Sequence, residues 1–123
     1  MKLPKRRGAD LGRRGEDLAA RHLERSGYRI VGRNVRSAGA EVDIVATRER
    51  TLIFVEVKTR RSDRYGAPEE FVDPRKILRL RRALTVYAAR KAYRDWNLRL
   101  DIIAVVLDDQ GERLRHLKNV AME

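Results

Sequence analysis

The stretch FVEVKTR, residues 54–60, places two opposite charges on a strand that is otherwise apolar. Side chains alternate along a strand with period two, so Glu56 and Lys58 share a face with Phe54. Burying an unpaired charge is costly, which requires the two groups to be paired, to lie near a solvent-open rim, or to hold an ion. The preceding segment, EVDIV at 41–45, supplies the partner. A hairpin through TRERT sets the two strands side by side and brings Asp43 toward Glu56. Adjacent carboxylates raise each other's pKa unless a cation compensates them, and hard oxygen ligands select Mg2+ or Mn2+. Lys58 then stands where an ammonium can orient or deprotonate an attacking water, or stabilise charge on a phosphorane. An Asp followed by Glu-x-Lys is therefore a kit for hydrolysing phosphodiesters. The same three residues also fit a cross-strand salt bridge at a sheet edge.

Working outward, Leu11, Leu18, Ala19 and Leu23 recur at helical spacing, and SGY at 26–28 ends that helix. YRIVGRNVR, EVDIVATR and TLIFVEVKTR follow as three strands separated by short gaps, which implies antiparallel neighbours. RSDRYGAPEEFVDPRK, residues 61–76, reads as a mobile connection that can lie over a site. Asp73 and Pro74 are suited to cap and open a second helix running to about Ala92, its apolar stripe formed by Ile77, Leu80, Leu84, Tyr87 and Ala88. LRLDIIAVVL at 98–107 is the most apolar strand and is expected at the centre of the sheet; RLRHLKNV is expected to close it. The order α-β-β-β-α-β-β specifies an α/β protein with helices packed on a mixed sheet.

With 123 residues the chain suits one domain, expected over 9–123 behind a flexible basic arm at 1–8. Lys and Arg number 29 against 18 Asp and Glu, a formal charge of +11. Such an excess gathers polyanions, and nucleic acid, with DNA favoured, is the leading partner. The second helix contributes Arg75, Lys76, Arg79, Arg81, Arg82, Arg90 and Lys91, which serve either as a phosphate-facing stripe or as solvated surface. The absence of cysteine excludes disulfides, thiolate zinc sites and a cysteine nucleophile. With no signal-peptide core and no run of membrane-spanning length, a cytoplasmic location away from membranes is expected.

Other candidates carry less. Glu41 shares a face with Asp43 by alternation. Glu16 reaches the site only if the first helix packs beside the sheet. Gly8, Gly12 and Gly15 belong to no phosphate-binding loop. His22 and His116 have no partner motif and are proposed as ligands of nothing, and Tyr65 in the connection is a surface residue able to stack on a base.

The ordered blocks GRRGEDLAARHLERSGYRIVGRN, AEVDIVA, FVEVKTR, YGAPEEFVDPRK and LRLDIIAV resemble the YraN-like family of small bacterial proteins. That family is similar to the restriction-endonuclease-like PD-(D/E)xK superfamily, and especially to its Holliday-junction-resolvase-like branch. The resemblance implies a Mg2+-dependent (or Mn2+-dependent) endodeoxyribonuclease core acting on branched or structured DNA. It makes Asp43 and Glu56 the metal-binding acids and Lys58 the catalytic lysine, with Glu16 joining them from the first helix. Glu41, Arg60, Lys76, Arg99 and Asp101 also match favoured positions. Phosphate contact is expected of Arg60 and Lys76, and of Arg13 and Arg14 on the first helix. Ala40 stands where the family has glycine, with Gly39 one step earlier. A noncatalytic nucleic-acid-binding module on the same fold is the alternative, and a homodimer would suit an enzyme cutting two strands.

Overall fold

The computed structural model describes residues 6–61, 73–90 and 92–120. The chain runs α1 (Arg6–Arg25), β1 (Arg29–Ser37), β2 (Ala40–Arg48), β3 (Thr51–Arg60), α2 (Pro74–Arg90), β4 (Asn97–Asp108) and β5 (Gly111–Leu117). This is the mixed α/β order expected from the sequence. Helix α1 begins at Arg6, inside the arm expected over 1–8, because an apolar stripe locates a helix's buried face more sharply than its end. Residues 1–5 of the expected arm, Lys91, and most of the 61–76 connection including Tyr65 lie outside the described residues.

The sheet order is β1-β2-β3-β4-β5, antiparallel throughout except for the parallel β3–β4 pair. The central strand is β3 and not the more apolar β4. Both strands have neighbours on each side and helices above and below, so apolarity alone cannot rank them. The parallel pairing follows from α2, which carries the chain back across one face between β3 and β4. Two hairpins turn on left-handed pairs, Ala38–Gly39 and Glu49–Arg50.

The helices cover opposite faces. On one, α2 packs Ile77, Leu80, Leu84 and Ala88 against Val42, Val45, Leu52, Phe54, Leu100 and Ile102. On the other, α1 packs Ala19 and Leu23 against Ile44, Ile53, Val55, Ile103 and Val105. Helix α2 starts as its sequence specifies: the Arg75 N–H donates to Asp73 Oδ1 at 3.0 Å, with Pro74 as the first helical residue.

Helix α1 approaches β3 most closely at Gly15. A Cβ there would lie 1.9 Å from Thr59 Oγ1, so only glycine lets the helix lie down at this point. This contact sets the height of the next residue, Glu16, above the sheet. Alanine for glycine in a helix normally stabilises by roughly 1 kcal/mol. Here Gly15→Ala is expected to lower the urea midpoint instead, by an amount corresponding to about 1–3 kcal/mol. A raised midpoint would contradict the close approach.

Candidate functional site

Pairing between β2 and β3 runs from Arg48↔Thr51 to Ile44↔Val55 and stops there. Continued by one step, the register would set Asp43 opposite Glu56. Instead the chain turns over at Asp43: Val42 packs on the α2 side, while Ile44, two residues on, packs on the α1 side. β3 keeps strict alternation through the same region. The strands therefore part, and the Asp43 carboxylate takes up a backbone donor left at the fork, accepting from the Val57 N–H at 2.7 Å.

Glu56 faces the α2 side and is buried, its side chain 4% exposed. Its two oxygens have different surroundings. Oε2 accepts from the Lys76 ammonium of α2 and has Lys58 Nζ at 3.5 Å. Among the described residues Oε1 is buried without a hydrogen-bond partner. An unsatisfied buried carboxylate oxygen is costly, so this atom marks where the site is incomplete. Asp43 reports the same condition: burial pushes its pKa up to about 7, with the charge of Glu56 and, less strongly, Glu16 adding to the rise and the Val57 hydrogen bond opposing it. Below that pH a proton on Asp43 relieves the pair; above it, a cation is what the geometry calls for.

Asp43, Glu56, Lys58 and Glu16 are thus brought into one neighbourhood, Glu16 from α1 on the opposite side of the fork. Glu16 Oε1 also lies 3.7 Å from Arg33 on β1. The donor set fits a hard divalent ion in character: two carboxylates with an orphaned oxygen between flanking ammonium groups. Among the described residues no three of His, Cys, Asp and Glu converge closely enough to hold a metal alone. Two carboxylates completed by water and substrate oxygens are the usual arrangement for Mg2+. Lys76, expected at phosphate, is engaged with Glu56. Glu41 is exposed, opposite Arg36 of β1. Arg13 borders the surface beside Glu16, whereas Arg14 faces the β4–β5 turn with Arg61. Arg60 is exposed at the end of β3.

A second polar cluster joins Arg99 and Asp101, two positions favoured by the family resemblance, to partners the sequence did not signal. Asp101 is fully buried, and both its oxygens are filled: Arg99 donates to each, at 2.9 and 2.8 Å, the Asn119 N–H to Oδ1 at 2.9 Å, and His116 Nε2 to Oδ2 at 2.7 Å. Arg99 also donates to the Tyr28 hydroxyl at 2.6 Å, and His116 Nδ1 lies 3.1 Å from His22 Nε2. Only β4–β5 pairing and the packing of α1 unite residues 22, 28, 101 and 116, and no local spacing signals it.

A model of the uncharacterised protein family UPF0102 matches residues 15–105. The chain belongs to that family. It is 49% identical over 110 residues to a UPF0102 protein of Geobacter sulfurreducens, spanning 89% of this chain and 86% of the relative. A UPF0102 protein of Syntrophus aciditrophicus is 42% identical over 108 residues, 88% and 85% of the two chains. One from an Arthrobacter strain is 45% identical over 111 residues, 89% and 94%. The matched span holds Glu16, Asp43, Glu56, Lys58 and Lys76, in agreement with the YraN-like resemblance; it stops short of His116.

The raised pKa of Asp43 has a stability consequence. Between its unfolded value of 3.8 and about 7 the folded chain holds a proton that the unfolded chain has lost, so this group makes stability fall as pH rises through that window. Asp43→Asn mimics the protonated form. At pH about 8 without divalent metal it is expected to melt several degrees above the wild type, and near pH 4 to melt at the same temperature. Equal melting at both pH values would remove the carboxylate pair from the explanation.

Proposed function

We propose that this protein is a metal-dependent nuclease of the PD-(D/E)xK type that hydrolyses phosphodiester bonds in branched or structured DNA. The observation that carries the proposal is the orphaned Glu56 Oε1 beside Asp43 at the mouth of the β2–β3 fork, with Lys58 against the same carboxylate. Asp43 and Glu56 would hold Mg2+ or Mn2+, assisted from α1 by Glu16. Such an ion would supply polarisation of the scissile phosphate and acidification of water.

The chain's own residues do the rest. Burial and the two lysines hold Glu56 in one orientation. The Val57 N–H holds the Asp43 carboxylate beside Glu56. Lys58 is half-buried and carries a positive charge at the point where a phosphorane would gain negative charge, so it can donate to that oxygen or orient the attacking water. Arg13 and Arg60, exposed on either side, suit backbone phosphates, and Arg14 extends the basic surface along α1.

One observation favours the noncatalytic alternative: Glu56 Oε2 is already neutralised by Lys76, as in a structural ion network. The discriminating experiment is cleavage of four-way, flapped, single-stranded and duplex DNA in Mg2+ and Mn2+, with Lys58→Ala purified in parallel. Metal-dependent cutting of structured DNA, reduced in the variant by about 10²-fold or more, is expected. Salt-sensitive DNA binding that survives chelation, without cutting by either protein, would give the fold to the binding module.

A further inference from the structure

On the α1 side of the sheet, away from Glu56, a cavity of about 270 Å3 opens between α1 and β5. Its floor is apolar, formed by Leu18, Val105 and Leu114, and its rim carries Arg21, His22 and Arg25 of α1 facing Glu112 and Arg113 of β5. Arg113 is paired with Asp108, so the positive charge available to a ligand comes from α1. The volume suits a phosphate group or a mononucleotide rather than a larger organic molecule.

What distinguishes this cavity from any basic depression is the chain of hydrogen bonds behind His22. Asp101 accepts four donors, one of which is His116 Nε2, so that nitrogen carries its proton. The 3.1 Å contact leaves room for one proton between His116 Nδ1 and His22 Nε2. The one ring nitrogen left without an assigned role is His22 Nδ1, on a residue that lines the cavity.

We propose that this cavity is a phosphate-binding site in which His22 takes up a proton from solvent as the anion binds, donating from Nδ1 while Arg21 and Arg25 supply the remaining charge. The groups acting on His22 come from every packed element. Arg21 and Arg25 flank it on α1. His116 and Arg113 of β5, with Lys118 beyond, oppose a second positive charge, and Glu112 favours it. Arg99 of β4 compensates Asp101 behind His116. Burial, then His116 and Lys118, hold the His22 pKa below its ordinary value in the free protein. An anion in the cavity reverses that balance, so binding and proton uptake are linked. The site is independent of the proposed nuclease centre.

Sulfate is the clean probe because its charge does not change across the relevant range. Sulfate titrations followed by amide and imidazole NMR signals are expected to show affinity rising about tenfold from pH of about 7.5 to about 5.5 in wild type, with shifts centred on His22 and Leu114. In His22→Gln that rise is expected to shrink to less than about twofold, while Arg21→Gln weakens binding and keeps the pH dependence. Competition for sulfate then identifies the source of the phosphate: displacement by a 5′-phosphorylated oligonucleotide and not its 5′-hydroxyl counterpart indicates a nucleic-acid end, and displacement by inorganic phosphate or a mononucleotide alone indicates a free ligand. Either supports the site. Affinity independent of pH in wild type, an unchanged pH dependence in His22→Gln, or shifts centred elsewhere would overturn it.

Discussion

The hydrogen bond from the Val57 N–H to the Asp43 carboxylate is the constraint on which the candidate site depends. Where a sheet opens, backbone donors lose their ladder partners and must find others. Here a side-chain acid takes that place, and in doing so it is drawn into a half-buried position beside a second acid, Glu56. The sheet gains a satisfied donor, and the site acquires a carboxyl, Asp43, whose ionisation burial and the neighbouring Glu56 charge oppose. The stability cost and the chemical potential of the site thus have one origin. Gly15 completes it from the other side, because the close seat of α1 on Thr59 brings Glu16 within electrostatic reach of Asp43.

The two buried acids of the sheet resolve the same problem differently. Asp101 has every lone pair engaged, and these hydrogen bonds outweigh burial and hold its pKa below the usual carboxylate range. It is a structural anion, closing β4, β5 and the segment after β5 around Arg99. Glu56 is held on one oxygen and, among the described residues, left open on the other. Incomplete satisfaction in a native structure is where ligand chemistry is to be sought.

Much of this architecture was legible in the sequence because it rests on local regularities. Two periods, 3.6 and 2, marked the helices and strands, and the Asp73–Pro74 start of α2 was readable from the chemistry of its two residues. The conflict within residues 54–60 pointed to Asp43, Glu56 and Lys58 without any knowledge of the fold. The turnover at Asp43, between Val42 on one face and Ile44 on the other, is a tertiary feature that alternation does not announce. The centre of the sheet was likewise assigned to β4 on apolarity, when the crossover through α2 places β3 there. The partners of His22 and His116, 94 residues apart, depend on three elements meeting, and nothing short-range encodes them.

The central claim is that Asp43 and Glu56 form a site for a divalent cation at the β2–β3 fork, and paramagnetic broadening tests it residue by residue. Mn2+ would be titrated into ¹⁵N-labelled wild type, Glu56→Gln and Asp43→Asn proteins at pH of about 7.5. The account requires the amides of Asp43, Glu56 and Val57 to broaden first in wild type, and that focus to disappear in both variants. Broadening centred on another acidic segment such as Asp108–Asp109, or an unchanged pattern in Glu56→Gln, would contradict it.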